Sequence, residues 1–311
     1  MNIYTDISEI RKSINAVVTV GSFDGLHLGH FKILDEVKNV VRELKGSSYL
    51  ITFEPHPRIV LSKDFGLRIL TSLDEKKKIL KEAGIENLIV INFTKEFSQL
   101  TSDEFIRQII VEKIGAAHMV IGHDHKFGKD RLGDVQKLSE VGKLYNFSVT
   151  EVPPESMDGE IISSSKIRTA LAAGDLIIAN KFLGRNYCVS GIVVVGMKRG
   201  RTLGFPTANI QPDDSNKAIP RNGVYVVKCE LEDKVFSGVM NIGIRPTFEN
   251  KQEQVLEVHL LNFNRDIYGK NLRIEFIKRL RDEKKFDSKE DLIKQMQSDK
   301  QLAADVFNSK S

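Results

Sequence analysis

The sequence predicts an α/β fold, in which a doubly wound parallel sheet is followed by a small antiparallel β-barrel with a C-terminal helix. In the first half of the chain, short apolar runs alternate with helical patterns, which is typical of a parallel sheet covered on both faces. In the second half, strand patterns follow one another with only short polar turns between them, which indicates a closed barrel. The pattern changes near residue 185, so we expect domains over residues 1–184 and 185–311.

The individual elements follow from the period of the apolar positions. In the first domain, strands are predicted over residues 16–20, 48–53, 87–93, 117–121 and 147–152, and helices over 30–44, 73–83, 102–114 and 134–144. In the second domain, strands are predicted over residues 188–195, 223–231, 235–242, 255–263 and 272–277, with a helix after Ser288. Ligands bind parallel sheets outside the carboxyl ends of the strands, so the loops that follow the strands are candidate sites.

Composition narrows the class of protein. The chain has 311 residues, of which 41% are hydrophobic and 28% are charged, and its net charge is +4. Its basic residues are spread along the chain, which does not favour a nucleic-acid partner. No apolar run has the length of a membrane span, no signal-peptide pattern is present, and two cysteines imply no disulfide framework. We therefore expect a cytoplasmic protein with no nucleic-acid partner and no membrane partner.

The most informative segment is Gly-Ser-Phe-Asp-Gly-Leu-His-Leu-Gly-His, residues 21–30, between the first predicted strand and the first predicted helix. Its glycines, Gly21 and Gly29 among them, allow a ligand to approach the backbone closely. A helix N-terminus favours an anion, and His27 and His30 would lie on one helix face and donate hydrogen bonds to it. The segment therefore predicts a phosphate site. A capped helix start, or half of a metal site, is the alternative interpretation of the two histidines.

Two further loops follow predicted strands. Pro55 and Pro57 stiffen the chain around His56, which is also what a rigid surface turn would need. The segment from His123 to His125 contains two histidines around an aspartate, but their alternation along a tight loop without a cysteine does not favour zinc.

A serine-rich helix start lies at residues 163–168. Ser164 and Ser165 are ordinary helix-capping residues. Capping does not explain Lys166 and Arg168, because the helix dipole disfavours cations in the first turn. A bound polyphosphate would reverse that penalty, so these two residues are candidate phosphate ligands.

The barrel carries its own glycine-rich and basic segment, residues 196–209. It contains Gly196, Lys198 and Gly204 and is able to fold over phosphates, although it is not a Walker loop. If residues 207–210 are extended, Thr207 and Asn209 point to one face, where their oxygens suit a magnesium ion that already carries phosphates. A polar edge turn is the alternative interpretation.

Glu257 favours the magnesium interpretation. It interrupts a predicted strand whose apolar residues Leu256, Val258 and Leu260 share the opposite face. A carboxylate within a barrel strand is costly unless it is paired or used. Its obvious use is to accept the proton of a hydroxyl group that attacks ATP.

Together these motifs resemble the bifunctional bacterial riboflavin kinase/FAD synthetase family over essentially the whole chain. Residues 21–30 resemble the first signature of the His-x-Gly-His nucleotidyltransferases, including Phe23 and Asp24, and residues 163–168 resemble the second motif. Asp124 matches a polar position of the family, which usually has an aromatic residue where His125 stands. The similarity to the riboflavin kinase domain rests on residues 204–209, 241–248, 255–261, 266–269 and 280–286.

The resemblance implies a Rossmann-like FMN adenylyltransferase domain and a riboflavin kinase domain. The implied cofactor is Mg²⁺ with ATP, and the implied ligands are riboflavin, FMN, FAD and ATP, with the flavins as substrate and product. In the kinase domain, Glu257 is the implied base, Thr207 and Asn209 hold the metal, and Lys198 with its glycine loop steadies the phosphates. In the adenylyltransferase domain, His27 and His30 are the implied catalytic residues that stabilise the developing negative charge, and Arg168 is the implied catalytic residue that binds the leaving polyphosphate. The other residues expected near ATP phosphates are Gly21, Phe23, Asp24, Gly29, Ser164, Ser165 and Lys166, and those expected near flavin are His56, Asp124, Arg245 and Arg281.

Three other functions are compatible with parts of the sequence. The first is a riboflavin kinase with an inactive N-terminal domain, for which the atypical His125 is the only support. The second is a nucleotidyltransferase for a different phosphorylated acceptor, against which the barrel motifs argue. The third is a flavin-binding regulator or storage protein without turnover, which would need neither Glu257 nor the two histidines.

Overall fold

The computed structural model describes residues 1–61, 66–123, 128–129, 135–196, 203–246 and 252–308. The side chains of residues 245, 246, 252, 253 and 308 lie outside this description. The chain divides into two compact units, Met1–Ser164 and Ser165–Ser311. Each unit contains its own main sheet, and we describe the two in turn.

A six-stranded parallel sheet forms the first unit, in the order β1-β4-β3-β2-β5-β6. Its strands are β1 (Asn2–Tyr4), β2 (Ala16–Val20), β3 (Ser47–Glu54), β4 (Asn87–Asn92), β5 (Ala116–Gly122) and β6 (Ser148–Val152). A small hairpin follows, made of β7 (Ser156–Met157) and β8 (Glu160–Ile161). The helices are α1 (Leu28–Leu44), α2 (Pro57–Leu61), α3 (Leu73–Glu82), α4 (Ser102–Phe105) and α5 (Val135–Tyr145). Strand β1 was not predicted, because three residues are too few to show a period.

Both faces of this sheet are buried, which confirms the doubly wound prediction. Val18 and Val20 pack into one apolar cluster together with Ile106 and Ile110. Val17, on the opposite face of the same strand, packs with residues of α1 such as Val37. Alternate residues of one strand therefore enter different apolar layers, as expected where helices cover both sides.

The predicted helix over residues 102–114 has two parts. It begins as α4 and continues as a π-helix over Ile106–Ile114, which ends where the N–H of Gly115 donates to the carbonyl of Ile110, five residues earlier. The spacing of apolar residues over nine positions does not separate a π-helix from an α-helix, so sequence analysis alone missed this difference.

A closed six-stranded barrel dominates the second unit, in the order β10-β13-β12-β11-β14-β9. Its antiparallel strands are β9 (Cys188–Val194), β10 (Ala208–Pro212), β11 (Gly223–Leu231), β12 (Lys234–Pro246), β13 (Gln252–Leu260) and β14 (Asn271–Arg281). Glu232 and Asp233 form the two-residue turn between β11 and β12, both with positive φ, as hairpin turns of this length require. Strand β10 was not among the predicted strands. It contains residues 208–210, which the magnesium interpretation requires to be extended.

The helices among the described residues of the second unit are α6 (Ser164–Ala173, whose first residue belongs to the first unit), α7 (Leu176–Leu183) and α8 (Lys289–Asn308). Helix α8 begins where predicted, because Ser288 Oγ accepts the N–H of Asp291 at 3.1 Å. The first compact unit ends at Ser164 and the second begins at Ser165. The change in the spacing of apolar residues instead predicts a functional boundary between residues 184 and 185. Hydrogen bonds explain the difference: Asn180 of α7 donates to the carbonyl of Phe276 at 3.0 Å, so this helix packs on the barrel. The boundary between the functional domains stays a prediction.

Candidate active sites

The glycine loop, residues 21–30, occupies the switch point of the parallel sheet. Strand β2 ends at Val20, and the chain then builds β3 and β4 on one side of it and β5 and β6 on the other. A crevice opens at the carboxyl ends of strands where connections diverge in this way. The loop that the sequence singled out is therefore placed where α/β sheets bind their ligands.

His27 and His30 form a stacked pair at the start of α1. Their ring centroids are 3.8 Å apart with an interplanar angle of 16°. His27 is the N-cap, and its Nδ1 accepts the backbone N–H of His30 at 3.4 Å, so the proton of the neutral ring sits on Nε2. If both rings were protonated, they would repel each other by about 4 kcal/mol at this separation and an effective dielectric of 20. A neighbouring anion would offset that cost.

Glycine at position 29 lets His27 lie against the first turn of the helix. A Cβ built on Gly29 meets Cε1 and Nδ1 of His27, each at 3.2 Å. Contacts this short require the ring to shift. Gly29 therefore preserves the position of the His27 imidazole. This is a more specific reason for a glycine at position 29 than general access for a ligand.

The backbone of the glycine loop is strained and is held from outside. Phe23 and Leu26 have φ values of 46° and 42°, in a region that costs a residue other than glycine about 1 kcal/mol or more. Buried Asp24 accepts the N–H groups of Leu70 and Thr71 at 2.8 and 3.1 Å. These contacts give Asp24 a scaffolding role, and its predicted contact with ATP stays a prediction.

Lys76 and Thr52 complete the support of the glycine loop and were both missed as site residues. Lys76 Nζ donates to the carbonyl of Ser22 at 2.7 Å and to Thr52 Oγ1 at 3.0 Å. The detectable signal was that Lys76 lies three residues from Leu73 and from Ile79, in the middle of the apolar face of α3.

His56 follows β3, which is adjacent to β2, so both loops emerge at the same edge of the sheet. Its Nδ1 accepts the N–H of Arg58 at 3.1 Å, which starts the short helix α2. A turn-forming contact is therefore present, and a flavin contact remains a prediction. Asp124 and His125 lie outside the described residues.

The serines at residues 164 and 165 do not act as a simple helix cap. Ser164 belongs to the first unit, where its Oγ donates to the carbonyl of Asp24 at 2.8 Å and adds to the support of the glycine loop. Ser165, Lys166 and Arg168 belong to α6 in the second unit. Their assignment to phosphates rests on the sequence.

In the barrel, Glu257 has an asparagine directly opposite it on each neighbouring strand. Asn209 of β10 and Asn241 of β12 are both paired with Glu257 of β13. Directly paired residues of antiparallel strands lie on one face with Cβ atoms about 5 Å apart. The structure therefore places a row of carboxylate and amide groups across three strands, and Asn241 is a member that the site prediction omitted.

This polar row lies on the outer wall of the barrel rather than in its interior. Leu256, Val258 and Leu260 are at most 5% exposed and fill the inside. Glu257 faces a cavity of about 490 Å³ outside that wall. The side chains around this cavity are Leu203, Phe205, Thr207, Val224, Val239, Asn241, Glu257, His259, Arg281, Glu283, Lys284, Phe286, Leu292, Met296, Asp299 and Lys300.

His259 fastens the segment that carries Thr207. Its Nδ1 donates to the carbonyl of Pro206 at 2.8 Å, and its ring meets Phe205 edge-on with centroids 5.5 Å apart. A carbonyl only accepts, so Nδ1 carries the proton. Burial lowers the pKa of His259, partly offset by the bond to Pro206. His259 is another residue that sequence analysis missed.

Arg281 is bound by the C-terminal helix. Its Nε and Nη2 lie 3.1 and 2.7 Å from the two carboxylate oxygens of Asp299, which is 3% exposed and also accepts from Gln295. Arg281 lines the large cavity, but its observed contact joins α8 to the barrel. Its predicted proximity to flavin is not tested by this contact.

We expect Asp299→Asn to lower the free energy of unfolding by about 2 kcal/mol, less than for a fully buried pair because Arg281 is partly exposed. Urea unfolding followed by circular dichroism measures this change. The matched control is Asp305→Asn, an exposed residue of α8 that accepts only from Gln301. Equal stability of the two variants would show that the Arg281–Asp299 pair does not secure the helix.

A second cavity of about 270 Å³ shares Thr207 with the first. It is lined by Val193, Pro206, Thr207, Ala208, Val258, Leu260, Phe263, Asn264, Arg265, Asp266, Ile267 and Tyr268. Thr207 therefore stands where the two cavities meet, with Glu257 on the side of the larger one.

Gly196 packs directly on the side chain of Asn209. A Cβ at this position would overlap the amide group of Asn209. Gly204 has a φ of +82°, and no atom within the described ranges lies within 4 Å of its Cβ position. Lys198 lies outside the described residues, as does the side chain of Arg245, whose backbone belongs to β12.

Two features of the described residues bear on alternative functions. No group of three or more histidine, cysteine, aspartate or glutamate residues has the arrangement of a metal site in the part of the chain that the structure describes. His125 is outside that part. None of the helices in the described ranges combines the length and apolarity needed to cross a membrane.

Comparisons with known proteins match both units. Residues 9–166 match the family model described as FAD synthetase, and residues 183–307 match the one described as riboflavin kinase. A Bacillus subtilis protein named bifunctional riboflavin kinase/FMN adenylyltransferase is 39% identical over 304 residues, which cover 96% of this chain and 95% of that protein. The Escherichia coli K12 protein of the same name is 36% identical and covers 94% and 92%.

A solved structure has a similar fold over nearly the whole chain. The crystal structure of a Streptococcus pneumoniae protein, named macrolide-efflux protein, has a TM-score of 0.86 and 31% identity, and the match covers 97% of this chain and 98% of that one. The efflux activity in its name belongs to that protein.

Proposed function

The chain belongs to the family of bifunctional riboflavin kinases/FMN adenylyltransferases, and on that premise we propose how its two sites divide the two reactions. It phosphorylates riboflavin with ATP to give FMN, and it transfers AMP from a second ATP to FMN to give FAD and pyrophosphate. The observation that carries the division is that Glu257 with its two asparagines, and the histidine pair of the glycine loop, lie in different compact units.

The kinase reaction is assigned to the outer wall of the barrel. The 5′-hydroxyl of riboflavin attacks the γ-phosphorus of ATP, an O–P bond forms, and the bond to the bridging oxygen of ADP breaks. Glu257 accepts the hydroxyl proton. Asn209 and Asn241 lie directly opposite Glu257 on the two neighbouring strands. Such a reaction depends mainly on positioning and electrostatics.

The two cavities suit the two substrates of the kinase. The larger contains Phe205, Phe286, Leu292 and Met296, which favour the flat apolar ring of a flavin. The smaller contains Asn264, Arg265 and Asp266, which favour a polar nucleotide. Because Thr207 lines both cavities, we place the transferred phosphate beside it.

Magnesium would suit the oxygen atoms of Thr207, which lines both cavities, and of buried Asn209 two residues further along the chain. The Thr207 hydroxyl and the Asn209 amide oxygen are hard ligands, which this ion prefers alongside phosphates and water. Bound there with ATP, the ion would neutralise phosphate charge. Gly196 keeps Asn209 in place, and His259 holds the backbone next to Thr207. Lys198 is assigned to the phosphates from the sequence.

Adenylyl transfer is assigned to the glycine loop. An oxygen of the FMN phosphate attacks the α-phosphorus of ATP, and the bond to pyrophosphate breaks. The imidazoles of His27 and His30 donate hydrogen bonds to the oxygens that gain negative charge, as preorganised donors do. Gly21, Phe23, Asp24 and Gly29 shape the loop. The sequence supports two further sets of assignments. The proposed phosphate ligands are Ser164, Ser165, Lys166 and Arg168. The proposed flavin ligands are His56, Asp124, Arg245 and Arg281.

A cytoplasmic location without nucleic-acid or membrane partners also belongs to this proposal. It rests on the composition of the chain, with its net charge of +4 and no long apolar run. Fractionation of cells that express the tagged chain tests it, and recovery in the membrane fraction would contradict it.

Gly196→Ala is expected to reduce kcat/KM of riboflavin phosphorylation about 10-fold, with a raised magnesium requirement, because the added methyl group displaces Asn209. Steady-state rates over a magnesium titration measure this effect. Gly66→Ala is the matched control, since a Cβ there meets no atom of the described residues within 4 Å. An unchanged magnesium dependence in Gly196→Ala would contradict the role of Asn209.

The function itself is tested by separating flavins after incubation with MgATP and either riboflavin or FMN. FAD is expected from both reactions. Accumulation of FMN from riboflavin, with no FAD in either reaction, would support the kinase-only alternative. A tightly bound flavin that MgATP does not change would support the non-catalytic one.

A further inference from the structure

Lys76 is a buried lysine to which neither proposed reaction assigns a role. Its side chain is on α3, and only 4% of the residue is exposed. The ammonium group donates to the carbonyl of Ser22 at 2.7 Å and to Thr52 Oγ1 at 3.0 Å. Thr52 Oγ1 in turn donates to the same carbonyl at 3.2 Å. The three groups form a closed ring of hydrogen bonds, whose directions are settled because an ammonium only donates and a carbonyl only accepts.

Placing an ammonium group here is costly. Burial lowers the pKa of Lys76, and the carboxylates of Asp24 and Glu54 act in the opposite direction. An apolar residue would fill the same space on the apolar face of α3 without this cost. The lysine therefore needs a reason that packing alone does not supply.

The reason lies in the peptide that joins Ser22 to Phe23. A trans peptide is planar, so its carbonyl and N–H point in opposite directions. Lys76 and Thr52 hold the carbonyl on their side, which turns the N–H of Phe23 the other way. Phe23 itself has a φ of 46° and begins the strained part of the glycine loop. Strain of this kind persists only where the surroundings determine it.

We propose that Lys76 is a positioning residue for adenylyl transfer, which holds the Ser22–Phe23 peptide in the orientation that the glycine loop needs to receive phosphate. The inference rests on the assignment of adenylyl transfer to this loop. Lys76 acts through the backbone and does not touch the reacting atoms. Thr52 is its partner, because its hydroxyl connects the ammonium group to the same carbonyl.

The test compares Lys76→Met, Thr52→Val and the double variant in the full chain. Lys76→Met is expected to lower kcat for FMN adenylylation about 100-fold, the scale of a displaced reacting group, with a much smaller change in KM for MgATP. Thr52→Val removes one connection and is expected to lower kcat about 10-fold. The double variant should be no slower than Lys76→Met, since both changes release the same carbonyl.

Three controls separate positioning from folding. Lys77→Met removes a surface lysine that pairs with Asp74 at 2.8 Å, and it should leave both reactions unchanged. Riboflavin phosphorylation by each variant shows that the second unit is intact. Thermal unfolding of the first unit gives the folded fraction for correcting kcat. A purely structural role would lower kcat only in proportion to that fraction.

Retention of at least a third of the wild-type kcat by folded Lys76→Met would overturn the inference. Losses that multiply in the double variant would also overturn it, because independent effects multiply. If Lys76→Met fails to fold, Thr52→Val decides: an unchanged kcat overturns the inference. An absence of FAD formation from FMN by the wild-type chain would instead refute the function assigned to the loop.

Discussion

His27→Ala is expected to reduce FMN adenylylation by about 1,000-fold while riboflavin phosphorylation stays within about twofold of wild type, since removal of one preorganised donor has effects of this size. The two reactions are measured on the same preparation, starting from FMN and from riboflavin. The second reaction is an internal control, because Glu257 and its neighbours belong to the other compact unit.

Loss of the helix cap must be separated from loss of the catalytic donor. His27 is the N-cap of α1, so alanine also removes a capping contact worth about 1 kcal/mol. His27→Asn restores a good capping residue without the imidazole. We expect it to recover stability but not adenylylation. Asn39→Ala, an exposed change on the same helix, is the control for altered helix stability. Equal loss of both reactions in His27→Ala would refute the two-site assignment.

Glu257→Gln is expected to slow riboflavin phosphorylation by about 1,000-fold and to leave FAD formation from supplied FMN unchanged, because general-base contributions lie in this range. Glutamine keeps the shape of the side chain and one acceptor oxygen beside Asn209 and Asn241. The loss therefore reports the missing proton acceptor. Single-turnover phosphorylation at saturating MgATP measures the chemical step.

The matched control is Glu232→Gln in the β11–β12 turn. Glu232 is half-exposed, pairs with Lys270 at 2.8 Å and does not line the larger cavity. We expect this variant to keep both activities. A Glu257→Gln variant that phosphorylates riboflavin at a rate similar to Glu232→Gln would show that the base is another group or solvent.

The face of the barrel on which Glu257 lies and the binding partner of Arg281 are features that sequence patterns do not show. Glu257 was recognised because a carboxylate interrupts an apolar strand, but the sequence suggested a cost inside the barrel. The closed sheet instead turns that face outward, where the cavity lies. Likewise, Arg281 was predicted to lie near flavin, and the structure shows it bound to Asp299 of a helix that begins eight residues after Arg281.

Sequence by itself determined the alternation of the longer strands and helices, the two-part architecture and the two motifs, because each of these depends on local properties. Strands β1, β7, β8 and β10 were not predicted. Apolar period, turn residues and a glycine loop before a helix can be read within ten or fifteen neighbouring residues. Tertiary structure alone decided which distant residues meet. Lys76 reaches Ser22 across 54 positions of sequence, and strand register sets Asn209 and Asn241 beside Glu257. Burial and register are properties of the assembled sheet, so no local pattern contains them.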